Sequence, residues 1–146
     1  MITELRRYRI KPDRLESWLA FFLEAARQHD PHGIRVEYAG VDRETNMFVW
    51  LRSFDDEADR VARKDAFYGA EWWLEREAFA MDHVIEYDVT FLDAAVIRDG
   101  GKVIAAPWPA GGEPAGSHAD GPPDGWVRSA RATFVPIRAE TRKAST

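Results

Sequence analysis

The chain has 146 residues, a formal net charge of -5 and no cysteine. One domain with a real core is therefore expected, and the acidic balance argues against a nucleic-acid partner, which would need clustered Lys and Arg. Disulfides, thiolate metal sites and cysteine nucleophiles are excluded, and with no apolar leader or membrane-length apolar run the expectation is a soluble, cytoplasmic protein with no membrane partner.

In chain order, "ITELRRYRI" (2–10) reads as a strand closed by Lys11-Pro12. A helix follows, with Asp13 as its expected N-cap, Glu16 three residues on, and Leu15, Trp18, Leu19, Phe22, Leu23 and Ala26 on one stripe. Pro31 should end it near His29. "IRVEYAG" (34–40) is a short strand with Ile34, Val36 and Tyr38 on one face, and "VDRETN" turns into a strand over 46–54. There Met47, Val49 and Leu51 alternate with Phe48, Trp50, Arg52 and Phe54. Asp55, Asp56 and Glu57 open a second helix, which Gly69 interrupts before "AEWWLEREAFAMDH" resumes it. The last strand, 84–96, alternates Ile85, Tyr87, Val89 and Phe91 with Glu86, Asp88 and Thr90. Beyond it, residues 98–146 hold seven of the ten Gly and six of the eight Pro, with 7 Lys/Arg against 5 Asp/Glu, whereas residues 1–97 carry 13 against 20. The division expected is a folded domain over 1–97 and an irregular arm over 98–146, anchored by residues such as Trp108 and Trp126.

Strand, helix, strand, strand, helix, strand is the α+β ferredoxin-like pattern, a four-stranded antiparallel sheet with its helices on one side. The apolar parities Met47/Val49/Leu51 and Ile85/Tyr87/Val89/Phe91 are expected beneath the helices. Arg6, Tyr8, Phe48, Trp50, Arg52, Phe54, Glu86 and Asp88 would then form the other face. Three large aromatics on one outer strand need a cover, and a second copy of the sheet would supply it, giving a homodimer.

"ELRRYRIKPDRLESWL" (4–19) and "NMFVWLRSFDDEADRVARKDAFYGAEWW" (46–73) resemble the NIPSNAP family of the dimeric α+β barrel superfamily. The matching positions are Glu4, Leu5, Arg6, Tyr8, Lys11, Pro12, Asn46, Leu51, Arg60 and Trp72, and the resemblance covers about residues 2–92. The family pattern differs at Trp50, Arg52 and Phe54, where a polar residue or His, a Trp and a Tyr are usual. What the resemblance implies is a homodimer of facing sheets with a small cavity in each subunit.

Arg6, Tyr8, Phe48, Trp50, Arg52, Trp72 and Glu86 are the candidate substrate-binding residues. Guanidinium groups offer forked donors and aromatic planes stack flat ligands. The plainer alternative is that Arg6 and Arg52 pair with Glu86, Asp88 or Glu37 across a dimer interface. No catalytic residue can be named, although a desolvated Glu86 or Asp88 could serve as a base, and His83 could shuttle a proton if it faced the cavity. His29 and His32 flank Asp30, but a cationic His at a helix C-terminus explains them more simply than a metal does. Trp72 and Trp73 point about 100° apart, so at most one is fully in the core. Arg60 and Arg63 are expected to make solvated helix pairs. There is no G-x-S-x-G, no Gly-rich phosphate loop and no H-E-x-x-H, and no cofactor is expected. Two readings remain: binding, with or without cofactor-free transformation, of a small, partly apolar molecule, or a non-catalytic interaction module whose barrel is filled by side chains. Other α+β barrels, by analogy, carry out oxygenation, cyclisation or isomerisation. A dry cavity of roughly 300 Å³ beside Trp50 would favour the first.

Overall fold

The computed structural model describes residues 1–106 and the two-residue strand Val135–Pro136. Strand β1 (Ile2–Ile10) leads to helix α1 (Leu15–His29), a 3-10 turn (Asp30–His32), the hairpin β2 (Arg35–Asp42) and β3 (Met47–Phe54), helices α2 (Glu57–Gly69) and α3 (Glu71–Met81), and β4 (Val84–Asp93). These four strands form an antiparallel sheet in the order β2-β3-β1-β4, the ferredoxin-like arrangement. A hairpin of β5 (Val96–Asp99) and β6 (Lys102–Ala105) follows, and β7 (Val135–Pro136) pairs with β4 at Glu86 and Tyr87. The hairpin turns at Gly100 and Gly101, whose φ of 55° and 81° suits glycine best. The remainder of the arm, with its expected anchors Trp108 and Trp126, lies outside the described residues.

Helix α1 ends at His29, as Pro31 requires, but its start differs from expectation. Asp13 adopts a left-handed φ of 63° in the turn, so Arg14 occupies the N-cap position and no side chain caps the helix. At α2 the acidic run works as expected: Asp56 is the N-cap and its carboxylate accepts from the Asp59 amide at 2.8 Å. The helix breaks after Gly69, because Ala70 is extended (φ -72°, ψ 144°) before α3 resumes.

Register corrects the assignment of faces. Arg6 stands opposite Trp50 and Val89, and Tyr8 opposite Phe48 and Tyr87, so these residues share one side of the sheet. That side lies under the helices, where Tyr8, Phe48, Trp50, Phe54, Tyr87 and Val89 are buried with Trp18, Phe22, Phe67 and Trp73. The opposite parity of β3, Met47, Val49 and Leu51, was expected beneath the helices and instead faces away with Leu5, Arg7 and Arg9. Tyr87 and Val89 are inward as expected, but a register shift beside Ile10 turns Ile85 outward. A second shift between Val36 and Tyr38 places Tyr38 opposite Leu51, so it does not share a face with buried Ile34. The physical reason is volume: Phe48, Trp50 and Phe54 fill the space between sheet and helices, which Met, Val and Leu would leave underpacked.

Candidate functional site

On β1 the two-residue period puts Glu4, Arg6 and Tyr8 in line on the inner face, and β3 lays Trp50 and Arg52 beside them. Glu4 is the centre of this group. It accepts from Arg6 at 3.0 Å, from Arg52 through Nε, and from Arg60 of α2 at 3.3 Å. Arg60 also binds Glu57 at 2.6 and 2.9 Å. Arg6, Arg52, Arg60 and Glu4 are each no more than 1% exposed. Burial would raise the Glu4 carboxyl, but Arg52, Arg6 and Arg60 outweigh it and hold it down at about 2. Glu4 is thus a carboxylate at any physiological pH.

His29 closes the other end of the group. Its Nδ1 lies 2.7 Å from the Ala25 carbonyl and must donate to it, so Nε2 is bare and accepts from Arg52 Nη1 at 3.2 Å. Burial, reinforced by Arg52, lowers its pKa to about 3. The expected cationic histidine is therefore a neutral one, and with both ring nitrogens engaged it has no lone pair left for a metal. Arg6 Nε donates to the Tyr8 hydroxyl at 3.0 Å. Burial pushes the Tyr8 phenol up although Arg6 opposes this, so Tyr8 keeps its proton.

Two guanidinium groups approach Trp50, with Arg6 Cζ 5.2 Å and Arg52 Cζ 5.4 Å from its ring; Arg52 also reaches Tyr68 at 5.3 Å. Between the sheet and the helices, Tyr8, Trp18, Phe22, Trp50, Phe67 and Trp73 line a gap with His29 and Tyr68 at its side. Its volume is about 30 Å³, room for roughly two water molecules. The Nε1 donors of Trp18 and Trp50 and Nη2 of Arg52 are buried and lack a hydrogen-bond partner. Leaving such donors unmet costs about 1–3 kcal/mol each.

Of the residues singled out from the sequence, Arg6, Tyr8, Phe48, Trp50 and Arg52 come together on the inner face. Trp72 is half-buried on α3, stacked on Phe21 at 5.8 Å, while Trp73 is the one in the core. Glu86 lies on the opposite face, paired with Arg9 at 2.9 Å, and Asp88 pairs there with Arg7 at 3.1 Å. The expected partners of Arg6 and Arg52 were therefore wrong, since both bind Glu4 of their own chain. Arg63 makes its solvated pair with Asp59, but Arg60 is fully buried. Glu4 and His29 were overlooked as site residues, although Glu4 shares the β1 parity of Arg6 and Tyr8 and so could have been found.

No helix among the described residues is long and apolar enough to cross a membrane. No protein-family profile and no curated protein matches the chain. Fold and register define a ferredoxin-like α+β domain carrying a buried arginine–carboxylate cluster. Solved structures specify that fold further as that of NIPSNAP-domain proteins. An uncharacterised NIPSNAP domain protein from Burkholderia xenovorans superposes with a TM-score of 0.60 at 18% identity, covering 65% of this chain and 95% of that one. A NIPSNAP family protein from Agrobacterium tumefaciens gives 0.60 at 16% identity, covering 64% and 91%. An antibiotic biosynthesis monooxygenase shares the fold at a TM-score of 0.51 and 18% identity, covering 64% and 98%.

Proposed function

We propose that this protein binds a small, planar, partly apolar molecule bearing an acceptor oxygen in the gap between the sheet and its helices. The observation that carries this reading is the pair of unmet indole donors on Trp18 and Trp50, two residues that line the gap. Aromatic walls favour a flat ligand, and an acceptor oxygen would satisfy the donors that the fold leaves without a partner. Tyr8, protonated and positioned by Arg6, adds a third group able to donate. At about 30 Å³ the gap holds no such ligand as it stands. Entry therefore requires movement of Tyr68 and Trp73, which flank the break between α2 and α3. Likeness in fold to an antibiotic biosynthesis monooxygenase supports this reading only by analogy.

The test is tryptophan fluorescence and thermal shift with a panel of phenols, quinones and aromatic carboxylates. Saturable quenching that is lost in Tyr8→Phe supports the reading. A panel without effect favours the alternative, an interaction module whose interior is filled, for which the small volume of the gap speaks. Under either reading the sheet face bearing Leu5, Val49 and Leu51 is proposed to pair with that of a second copy, burying half-exposed apolar side chains beside the Arg7–Asp88 and Arg9–Glu86 pairs. Light scattering at low micromolar concentration should give a dimer mass that Val49→Arg reduces to a monomer. A monomer mass for the unaltered protein would defeat this.

A further inference from the structure

Away from the gap, on the side where β1 enters α1, Ser17 and His83 form a pair that the binding site does not use. Ser17 is exposed in the first turn of α1, and its Oγ lies 2.8 Å from Nε2 of His83, which is fully buried. His83 Nδ1 is 2.8 Å from the Phe79 carbonyl and must donate to it. The tautomer is thereby fixed, with the Nε2 lone pair directed at the serine hydroxyl. A nucleophile, a base and a group that orients the base are the three parts of a serine acyl-transfer site, here with a backbone carbonyl in the orienting role.

We propose that Ser17 is a nucleophile activated by His83, accepting acyl groups from esters or thioesters with an apolar acyl chain. Ser17 Oγ attacks the carbonyl carbon as its proton passes to His83 Nε2. The tetrahedral adduct collapses, the alcohol or thiol leaves with that proton, and the acyl group remains on Ser17. Arg14 Nη2 lies 3.4 Å from Nε2 and 3.5 Å from Nδ1, so in the resting site its guanidinium shares the Nε2 lone pair with Ser17, and it must turn from the ring to the substrate carbonyl oxygen to meet the developing oxyanion. Arg14 and Lys11 both hold Asp82, whose carboxyl they pull down by direct hydrogen bonds. That carboxylate, on the residue before His83 and tied to Arg14, is an anion at hand to offset the imidazolium formed in the step. The preference for an apolar acyl chain comes from the surface next to the pair. Phe79, 52% exposed, touches the His83 ring at 4.8 Å and Phe21 at 5.7 Å, and Phe21 stacks on Trp72, so an aromatic shelf starts at the base and runs along α1 and α3.

The experiment treats the full chain with p-nitrophenyl hexanoate and follows nitrophenolate release and the mass of the protein. The expected result is one acyl group on Ser17 by peptide mapping, no adduct in Ser17→Ala, a rate about 100-fold lower in His83→Gln, and slower labelling by the acetate ester. An adduct on another residue, or one that survives Ser17→Ala, would overturn the proposal. Because His83 is buried and its replacement risks the fold, a second measurement uses the absence of cysteine from the chain. Ser17→Cys should react with iodoacetamide about tenfold faster than Ala20→Cys on the same helix, since a neighbouring imidazole raises the thiolate fraction. Equal rates would also overturn it.

Discussion

Replacing Glu4 with Gln tests the buried cluster directly. The variant keeps shape but removes the negative charge that Arg6, Arg52 and Arg60 share. A carboxyl moved from an ordinary 4.5 to about 2 is stabilised as the anion by roughly 3 kcal/mol, at about 1.4 kcal/mol per pKa unit. Removing one partner of a buried ion pair costs about 3–5 kcal/mol. Glu4→Gln should therefore unfold about 3–5 kcal/mol more easily at pH 7 in urea titrations followed by circular dichroism. The folded pKa lies below the unfolded one, so the contribution is complete above 4.5 and is lost as the pH falls through about 2. At pH 3.5 the gap between variant and parent should be smaller by about 1–2 kcal/mol. A cost below about 1 kcal/mol at pH 7, or one that is the same at both pH values, would refute the reasoning.

His29 makes a separate prediction about acid. Its pKa falls from 6.5 to about 3 on folding, so the unfolded chain binds the extra proton between these values and stability drops as the pH is lowered from 6.5. Between pH 6.5 and 4.5 that loss is roughly 2 kcal/mol, and His29→Gln, which can still accept from Arg52, should remove it in the same titrations. Trp50→Ala should cost about 3–5 kcal/mol without changing the oligomer mass in light scattering, because Trp50 lies under its own helices. Gly33→Ala should lower the melting temperature. Its φ of 71° is left-handed, and a Cβ there would overlap Arg63, breaking that guanidinium's 2.8 Å bond to the His32 carbonyl.

Local periodicity was enough to lay out this domain. The two-residue alternation of 2–10 and 46–54, the helical stripe of α1, the stop at Pro31, the acidic start of α2 and the break at Gly69 are all written in neighbouring residues, and each is where expected, except that the buried face of α1 runs through Trp18, Phe22, Ala25 and His29 and leaves Leu23 exposed. The order of those elements implied the antiparallel ferredoxin-like sheet. Alternation separates two faces of a strand but does not say which of them meets the helices, because each parity of β3 can be buried. That choice was made by volume and by charge pairing across elements far apart in the chain. Arg52 lies inside because Glu4 on β1 and His29 on α1 meet its guanidinium, and Arg60 because Glu4 and Glu57 do the same for it. The Asp13 turn and the shift at Tyr38 likewise depend on how the chain must enter and leave its partners. The sequence by itself determined the elements and their order, whereas the tertiary structure alone decided which face is interior, since a buried charge is tolerable only where distant residues converge to neutralise it.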